Sequence, residues 1–224
     1  MPASSAFDPR ANRILTGPIG KGVLLVALPS VATMLLQTLN GFLDRFFIGY
    51  LGTASMAAVS LSTTLLFTLA SAAMAVSVGT SALVARFVGS GEREDAETAV
   101  RQSLLLIVAV AACFAVGLFV LKRPLLAAQG LSGAALDEGE RYLAWAAAGL
   151  PFTFLNFVQA GAFRGLGDTV RPFWVTLGSN LVHALLNALL IPGNLGFPKM
   201  GIAGGALAMA CSQVAAVALQ QWFL

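Results

Sequence analysis

An acidic side chain lies inside an otherwise apolar stretch near the amino end of the chain. Asp44 and its neighbour Arg45 are the only charged residues within the predicted membrane-spanning segments. A charge at the bilayer centre costs roughly 2.5–3.5 kcal/mol even on a lenient insertion scale. Arg45 can extend to the outer interface, whereas the shorter Asp44 should face the protein interior or a wet cavity. There a carboxyl group can bind and release a proton, or hold a cation when ionised, which is the chemistry of ion-coupled transport.

Polar side chains recur at helical spacing on three of the apolar segments. Residues three, four or seven positions apart lie on one face of a helix, so each set forms a stripe. We expect these stripes to line a polar cavity or to form a hydrogen-bond network around it. The alternative for the amides is interhelical hydrogen bonding that only supports the bundle, worth about 0.6 kcal/mol per contact. The stripes contain Gln37, Asn40 and Asp44 on the first segment, Asn156 and Gln159 on the fourth, and Thr176, Asn180, His183 and Asn187 on the fifth.

The composition of the chain requires lipid as its solvent. Of its 224 residues, 58% are hydrophobic and 10% are charged, against about 25% charged residues in soluble domains. Long apolar runs without strand-like alternation predict an all-α membrane protein, since a spanning helix needs about 20 apolar residues. We predict a cytoplasmic tail over residues 1–21 and a six-helix transmembrane lobe over residues 22–224. The predicted spans lie near residues 22–48, 56–85, 103–121, 142–163, 173–192 and 201–224.

The distribution of basic residues sets the expected orientation. With the amino terminus inside, the inner segments hold eight Lys and Arg residues and the outer loops hold four. The positive-inside rule therefore favours a cytoplasmic amino terminus. We expect an integral protein of the plasma membrane, which is the inner membrane in a bacterium. The basic residues are too dispersed for a nucleic-acid site, so nucleic acid is not an expected partner.

Proline and glycine residues predict where helices bend or approach one another. Pro29 lies in the middle of the first span, 15 residues before Asp44, and proline kinks a helix because it removes a hydrogen bond and clashes with the preceding turn. A static kink is the simpler interpretation, and a hinge that responds to the charge on Asp44 is the other. The pairs Gly161/Gly165 and Gly201/Gly205 fit the GxxxG pattern and predict close helix contacts.

Several short motifs follow one another in a specific order along nearly the whole chain. They are Leu28-Pro29, Gln37, Asn40, Asp44 and Ile48-Gly49-Tyr50-Leu51-Gly52, then Ala85-Arg86-Phe87-Val88-Gly89-Ser90-Gly91, then Arg164-Gly165-Leu166-Gly167-Asp168-Thr169 with Pro172, and finally Gly201-Ile202-Ala203-Gly204-Gly205-Ala206-Leu207-Ala208. In this set the chain resembles the amino-terminal lobe of MATE (multidrug and toxic compound extrusion) transporters.

The resemblance implies two six-helix lobes around a central cleft. It further implies secondary active efflux, in which a drug-like and often cationic organic molecule is exchanged for inward H⁺ or Na⁺, without any cofactor. Asp44 matches the family's coupling residue, and Gln37 and Pro29 match positions tied to the cavity of this lobe and to the bend of its first helix. Because a MATE transporter is about twice this size, we expect the sequence to be one half of the transporter, with a second six-helix lobe missing; a half-size homodimer is the other possibility.

Three positions depart from the family pattern. Where the family often has an Asn followed four residues later by an Asp on the fifth helix, this chain has His183 and Asn187, and Met209 stands where a threonine can complete a cation site. A Na⁺ site prefers several hard oxygen ligands, and this set has lost a carboxylate and a hydroxyl. The departures favour H⁺ over Na⁺ coupling, with His183 and Asn187 beside Asp44 as ion-coupling residues and no metal site expected.

Two other functions are alternatives to efflux. A lipid-linked-substrate flippase of the same superfamily would line its cavity with basic residues, and Arg45 alone qualifies here. An intramembrane serine protease would use the GxSG run at residues 130–133, but the order of serine and histidine does not fit that class. The sequence therefore predicts a transporter rather than an enzyme, with membrane lipid and small organic molecules as its partners.

Overall fold

The computed structural model describes residues 19–223. Six long helices follow one another in this range, and all six are long and apolar enough to cross a membrane. The predicted all-α six-helix bundle is confirmed, with no strand among the described residues. The helices are α1 Ile19–Gly49, α2 Thr53–Ser90, α3 Arg93–Ala128, α4 Gly133–Gly165, α5 Val170–Leu190 and α6 Ile202–Phe223, with a short 3₁₀ turn at Asn194–Gly196 between the last two.

Several helices are longer than the hydropathy of the sequence predicts. Helix α3 begins at Arg93 rather than near residue 103, and α4 begins at Gly133 rather than near residue 142. At 1.5 Å per residue, the 36 residues of α3 span about 54 Å, well beyond the hydrocarbon thickness of about 30 Å. Hydropathy identifies the part in lipid, while the polar ends continue as helix into the interface. Most of the predicted tail, residues 1–18, lies outside the described residues, and α1 has already begun at Ile19.

Consecutive spanning helices alternate in direction, so the bundle has two distinct ends. The inner end contains the end of α2, the start of α3, the end of α4, the start of α5 and the end of α6. The outer end contains the end of α1 and the end of α5. These names follow the orientation that the basic residues predict. Asp44 lies near the end of α1, and His183 and Asn187 lie near the end of α5, which places all three in the outer half.

Helix α4 is the centre of the bundle and packs against α2, α3 and α6. Its contact with α2 depends on glycine: a Cβ on Gly161 would lie 2.5 Å from the carbonyl oxygen of Ser77, and one on Gly165 would lie 2.7 Å from that of Ser81. The GxxxG pattern of α4 therefore marks a real close contact. At the second GxxxG pair, Gly201/Gly205, the close contact is made by the neighbouring Gly204 instead, where a Cβ would lie 2.9 Å from the backbone of Leu190 on α5. Gly201 instead precedes α6 with φ of 57°.

Helix α1 lies at the edge of this lobe. It packs mainly against α5 and touches α2 and α6 far less, so a long apolar face of α1 is exposed, including Leu28, Met34 and Phe42. The helix is continuous through Pro29, and the hydroxyl of Thr33 donates to the Pro29 carbonyl at 2.8 Å. The position of α1 is therefore set largely by its contacts with α5.

Candidate ion-coupling site

The carboxylate of Asp44 meets two side chains of α5. Asn187 Nδ2 donates to Asp44 Oδ1 at 2.6 Å, and His183 Nε2 lies 3.4 Å from the same oxygen. The two α5 residues are four positions apart, one helical turn, so they lie one above the other and both reach α1. Asn187 Nδ2 is also 3.3 Å from His183 Nε2. The structure therefore joins all three residues predicted to couple ions, Asp44, His183 and Asn187, in one cluster.

The other ring nitrogen of His183 faces Asn40 on α1. Asn40 Nδ2 lies 2.8 Å from His183 Nδ1, and Asn40 Oδ1 lies 3.1 Å from it. An amide can donate to a bare ring nitrogen or accept from a protonated one. Asn40 can therefore satisfy His183 in either protonation state, while Asp44 remains at the opposite nitrogen. This is the hydrogen-bonding arrangement that a proton-exchanging imidazole needs.

Exposure differs sharply between the acid and its partners. The side chain of Asp44 is 31% exposed, whereas that of His183 is 4% exposed, and Asn187 is 1% exposed. Asp44 is therefore reachable from outside this lobe, and His183 and Asn187 contact it from the buried side. Burying polar groups in this way is stable only if they are hydrogen-bonded.

Helix α6 closes the third side of the cluster. A Cβ on Gly205 of α6 would lie 3.9 Å from Asn187 Oδ1. That amide oxygen is buried and has no hydrogen-bond partner within the described part of the protein. Met209, at the position where the resemblance implies a threonine, is partly buried against the apolar core. A methionine thioether supplies no hard oxygen to this side of the site.

Local sequence explains how α5 is set in place. The turn before it contains Gly167 with φ of 77°, a conformation that glycine adopts readily. Asp168 Oδ1 then accepts from the backbone N–H groups of Val170 at 3.0 Å and Arg171 at 3.1 Å. Such acceptors at a helix start satisfy donors that have no partner within the helix. Further along, Asn180 Nδ2 donates to the Leu36 carbonyl of α1 at 3.0 Å, which adds to the direct hydrogen bonds between the two helices.

The polar stripe of α4 belongs to a different network. Asn156 Nδ2 donates to Gln213 Oε1 at 2.7 Å, and Gln220 Nε2 donates to Asn156 Oδ1 at 2.5 Å. Gln159 Nε2 donates to Gln221 Oε1 at 2.8 Å. The partners are on α6, so this network ties α4 to α6 rather than reaching Asp44. Sequence reasoning missed the three α6 glutamines, although Gln213 and Gln220 are seven residues apart and share a helix face.

The remaining predicted residues stand apart from the Asp44 cluster. Gln37 and Arg45 are exposed on α1. Thr176 is partly buried on α5, and its carbonyl accepts from the Ser179 hydroxyl at 3.0 Å. Pro29 lies four helical turns from Asp44 along α1, about 22 Å at 1.5 Å per residue. Their assigned roles in the cavity and the hinge stay predictions.

Sequence reasoning also missed a buried polar contact between α2 and α4. Arg164 Nη2 donates to Ser77 Oγ at 2.9 Å, and that hydroxyl donates to the Phe157 carbonyl at 2.6 Å. Ser77 is 1% exposed and lies beside Gly161. The small serine in an apolar segment was the available signal. This contact supports the bundle and lies in its inner half.

Comparison with known proteins identifies similar chains. The MatE family profile matches residues 29–189. An FAD transporter of Shewanella oneidensis is 30% identical over 94% of this chain and 47% of its own length. A probable multidrug resistance protein NorM of Thermotoga maritima is 28% identical over 87% of this chain and 42% of its own. The chain thus spans about half the length of the curated relatives it matches.

Solved structures show the same fold relationship. A MATE protein crystallised in the bent conformation superposes with a TM-score of 0.88 at 26% identity, over 98% of this chain and 48% of that one. The outward-facing conformation of a multidrug resistance MATE family transporter of the MOP superfamily gives a TM-score of 0.88 at 25% identity over the same shares. The six helices therefore correspond to one half of those chains.

Proposed function

Since this chain belongs to the MatE family of membrane transporters, we propose that it forms one lobe of a secondary active efflux protein in which Asp44 couples substrate export to inward cation movement. The family consists of transporters, so an intramembrane serine protease is excluded. The cluster of Asp44, Asn187 and His183 between α1 and α5 carries the proposal. It is a carboxyl group with 31% of its side chain exposed, held by donors from a single neighbouring helix.

The coupling step follows from the two charge states of Asp44. As a carboxylate it accepts from Asn187 at 2.6 Å and attracts His183, and hydrogen bonds to a charged group are worth about 1.5–3 kcal/mol. Protonation removes the charge and weakens both contacts. Since α1 packs mainly against α5, weakening these two contacts weakens the main packing interface of α1 with the rest of the lobe. A change of charge at Asp44 thereby biases α1 between two positions, which is how a local event produces a larger movement.

The donor set favours H⁺ over Na⁺ as the coupling ion. The nearest groups to Asp44 Oδ1 are an amide nitrogen and an imidazole nitrogen, neither of which is a ligand that Na⁺ prefers. Hard cations take oxygen ligands, and Met209 adds none from α6. An imidazole next to a carboxylate instead offers two groups between which a proton can be held or exchanged. His183 and Asn187 act in this proposal as ion-coupling residues.

Completion of the transporter requires a second six-helix lobe. The relatives are about twice as long as this chain, and the exposed apolar face of α1 borders the site. The proposed cleft lies between the two lobes, with Gln37 and Asn40 on its wall and Pro29 as the bend of α1. The protein is proposed to lie in the plasma membrane with its amino terminus in the cytoplasm, and to export small, often cationic, organic molecules.

A flavin dinucleotide is a second candidate substrate. The relative that aligns over 94% of this chain is named an FAD transporter, whereas the Thermotoga relative is named a probable multidrug resistance protein. The acidic site at Asp44 favours a cationic drug as the exchanged molecule. A lipid-linked-substrate flippase has less support, because Arg45 is the basic residue near the site and it is exposed on α1.

The test is drug susceptibility of cells that express the complete transporter with Asp44→Asn. We expect loss of resistance at unchanged protein level, because Asn187 would keep a polar partner but the site could no longer change charge. Asp137→Asn is the matched control, since it makes the same change at an exposed carboxylate of α4 outside the cluster and should keep resistance. Parallel assays of cationic dye efflux and FAD secretion distinguish the two substrates. Normal resistance in Asp44→Asn cells would contradict the coupling role.

A further inference from the structure

We propose that the inner end of this lobe binds one phosphatidylethanolamine molecule in a groove formed mainly by α2 and α3, with Leu166 after α4 and Gln221 of α6 also on its wall. The groove has a volume of about 840 Å³. Its apolar walls are formed by Val84 and Val88 of α2 and by Leu104, Leu105 and Val108 of α3. No residue of the Asp44 cluster is among its lining residues, and that cluster lies in the outer half. The groove is therefore a separate site from the one that exchanges cations.

The chemistry of the groove changes along α3 in the order in which a phospholipid changes. Arg101 precedes the apolar part, and Glu97 and Arg93 follow toward the start of the helix. Glu97 and Arg101 are four residues apart, so they share a helix face and are separated by about 6 Å along the axis. An acyl chain fits beside Leu105 and Val108, the phosphate fits at Arg101, and the amine lies further out at Glu97.

Depth in the membrane supports this assignment. The apolar run of α3 begins near residue 103, directly after Arg101, so Arg101 lies at the boundary between acyl chains and headgroups. Arginine binds phosphate through several N–H donors in a fixed planar arrangement. Leu105 is 64% exposed and Val108 is 45% exposed, an apolar surface suited to a lipid chain. Basic residues in pockets between membrane helices are a known mode of lipid headgroup binding.

The acidic residue selects the headgroup. A groove lined by arginine alone would favour an anionic lipid such as phosphatidylglycerol. Glu97 lies one helical turn from both Arg93 and Arg101 along α3, and all three residues line the groove. The Glu97 carboxylate adds a negative charge that repels a second anionic group and attracts an ammonium. Phosphatidylethanolamine supplies a phosphate and an ammonium joined by a two-carbon linker, which matches Arg101 and Glu97 in charge and order.

Native mass spectrometry of the purified complete transporter, with phosphatidylethanolamine or phosphatidylglycerol added in equal amounts, tests the site. We expect the wild-type protein to retain phosphatidylethanolamine preferentially. Arg101→Gln should weaken retention about tenfold, the effect of one charged hydrogen-bond partner. Arg101→Lys should have a smaller effect, because lysine keeps the charge but not the planar set of donors. Glu97→Gln should reverse the preference toward phosphatidylglycerol.

Arg86→Gln is the matched control, because Arg86 is an exposed arginine near the same end of α2 that does not line the groove. It removes the same charge and should leave both lipids unchanged. Three results would overturn the proposal: no lipid preference in the wild type, an equal loss with Arg86→Gln and Arg101→Gln, or a preference that Glu97→Gln leaves unaltered. Displacement of the lipid by a cationic drug, or a groove covered by the second lobe, would also overturn it.

Discussion

Replacement of Gly161 by alanine tests whether the α2–α4 contact sets the packing of the bundle. The added Cβ would lie 2.5 Å from both the carbonyl oxygen and the Oγ of Ser77. Ordinary contact begins at 3.4 Å, so the two helices must separate by about 0.9 Å, the difference between these distances. Overpacking of this kind costs about 1–3 kcal/mol. Separation would also strain the Ser77 hydroxyl, which holds Phe157 and Arg164.

The matched control is Gly79→Ala on α2. Nothing lies within 4 Å of a Cβ at Gly79, so Gly79→Ala creates no clash. Its only expected effect is the higher helix propensity of alanine, which favours stability by about 1 kcal/mol. The difference between the two variants therefore isolates the contact. For a protein of this size, each kcal/mol moves Tm by about 2–4 °C, so Gly161→Ala should melt about 2–12 °C below Gly79→Ala in detergent. Equal melting temperatures would refute the close contact.

Two further predictions concern the Asp44 cluster. Asn187→Ala removes the 2.6 Å bond to Asp44 and should lower efflux about tenfold or more, since a hydrogen bond to a charged group is worth about 1.5–3 kcal/mol. Asn180→Ala loses only a bond to a backbone carbonyl, so it should have the smaller effect in the same dye-efflux assay. The double change His183→Asn with Asn187→Asp supplies a second carboxylate and should make efflux depend on Na⁺, which is measured by varying Na⁺ at constant pH. Efflux that stays independent of Na⁺ would contradict the argument that the missing oxygen ligands exclude Na⁺ coupling.

The membrane fold could be predicted from sequence because lipid imposes a strict rule. Every backbone group in the hydrocarbon must be hydrogen-bonded internally, so long apolar runs become helices. Hydropathy does not record where a helix continues into the interface, which is why α3 and α4 extend beyond the predicted spans. The charged turn of α3 at Arg93 is helical although its composition resembles a loop.

Much of the site could be predicted because helical spacing is a local property. The stripes of α1 and α5 contain Asp44, Asn40, His183 and Asn187, and these residues do meet. Which helices become neighbours is not local, so nothing in the spacing assigns the α4 stripe to α6. Gln220 is 1% exposed, and its seven-residue spacing from Gln213 marks a shared helix face without showing which helix that face meets. The α4 stripe predicts a role for its partner Asn156, but the contact between the two side chains is visible only in the structure.

The most direct test of Asp44 coupling is proton counterflow in proteoliposomes that contain the complete transporter. A pH-sensitive dye inside the vesicles records protons while an outward gradient of a cationic substrate drives transport. We predict that wild-type protein moves protons against the substrate, and that Asp44→Asn abolishes this proton movement while substrate binding remains measurable. Proton counterflow that persists in Asp44→Asn, or wild-type transport that follows Na⁺ alone, would contradict the account.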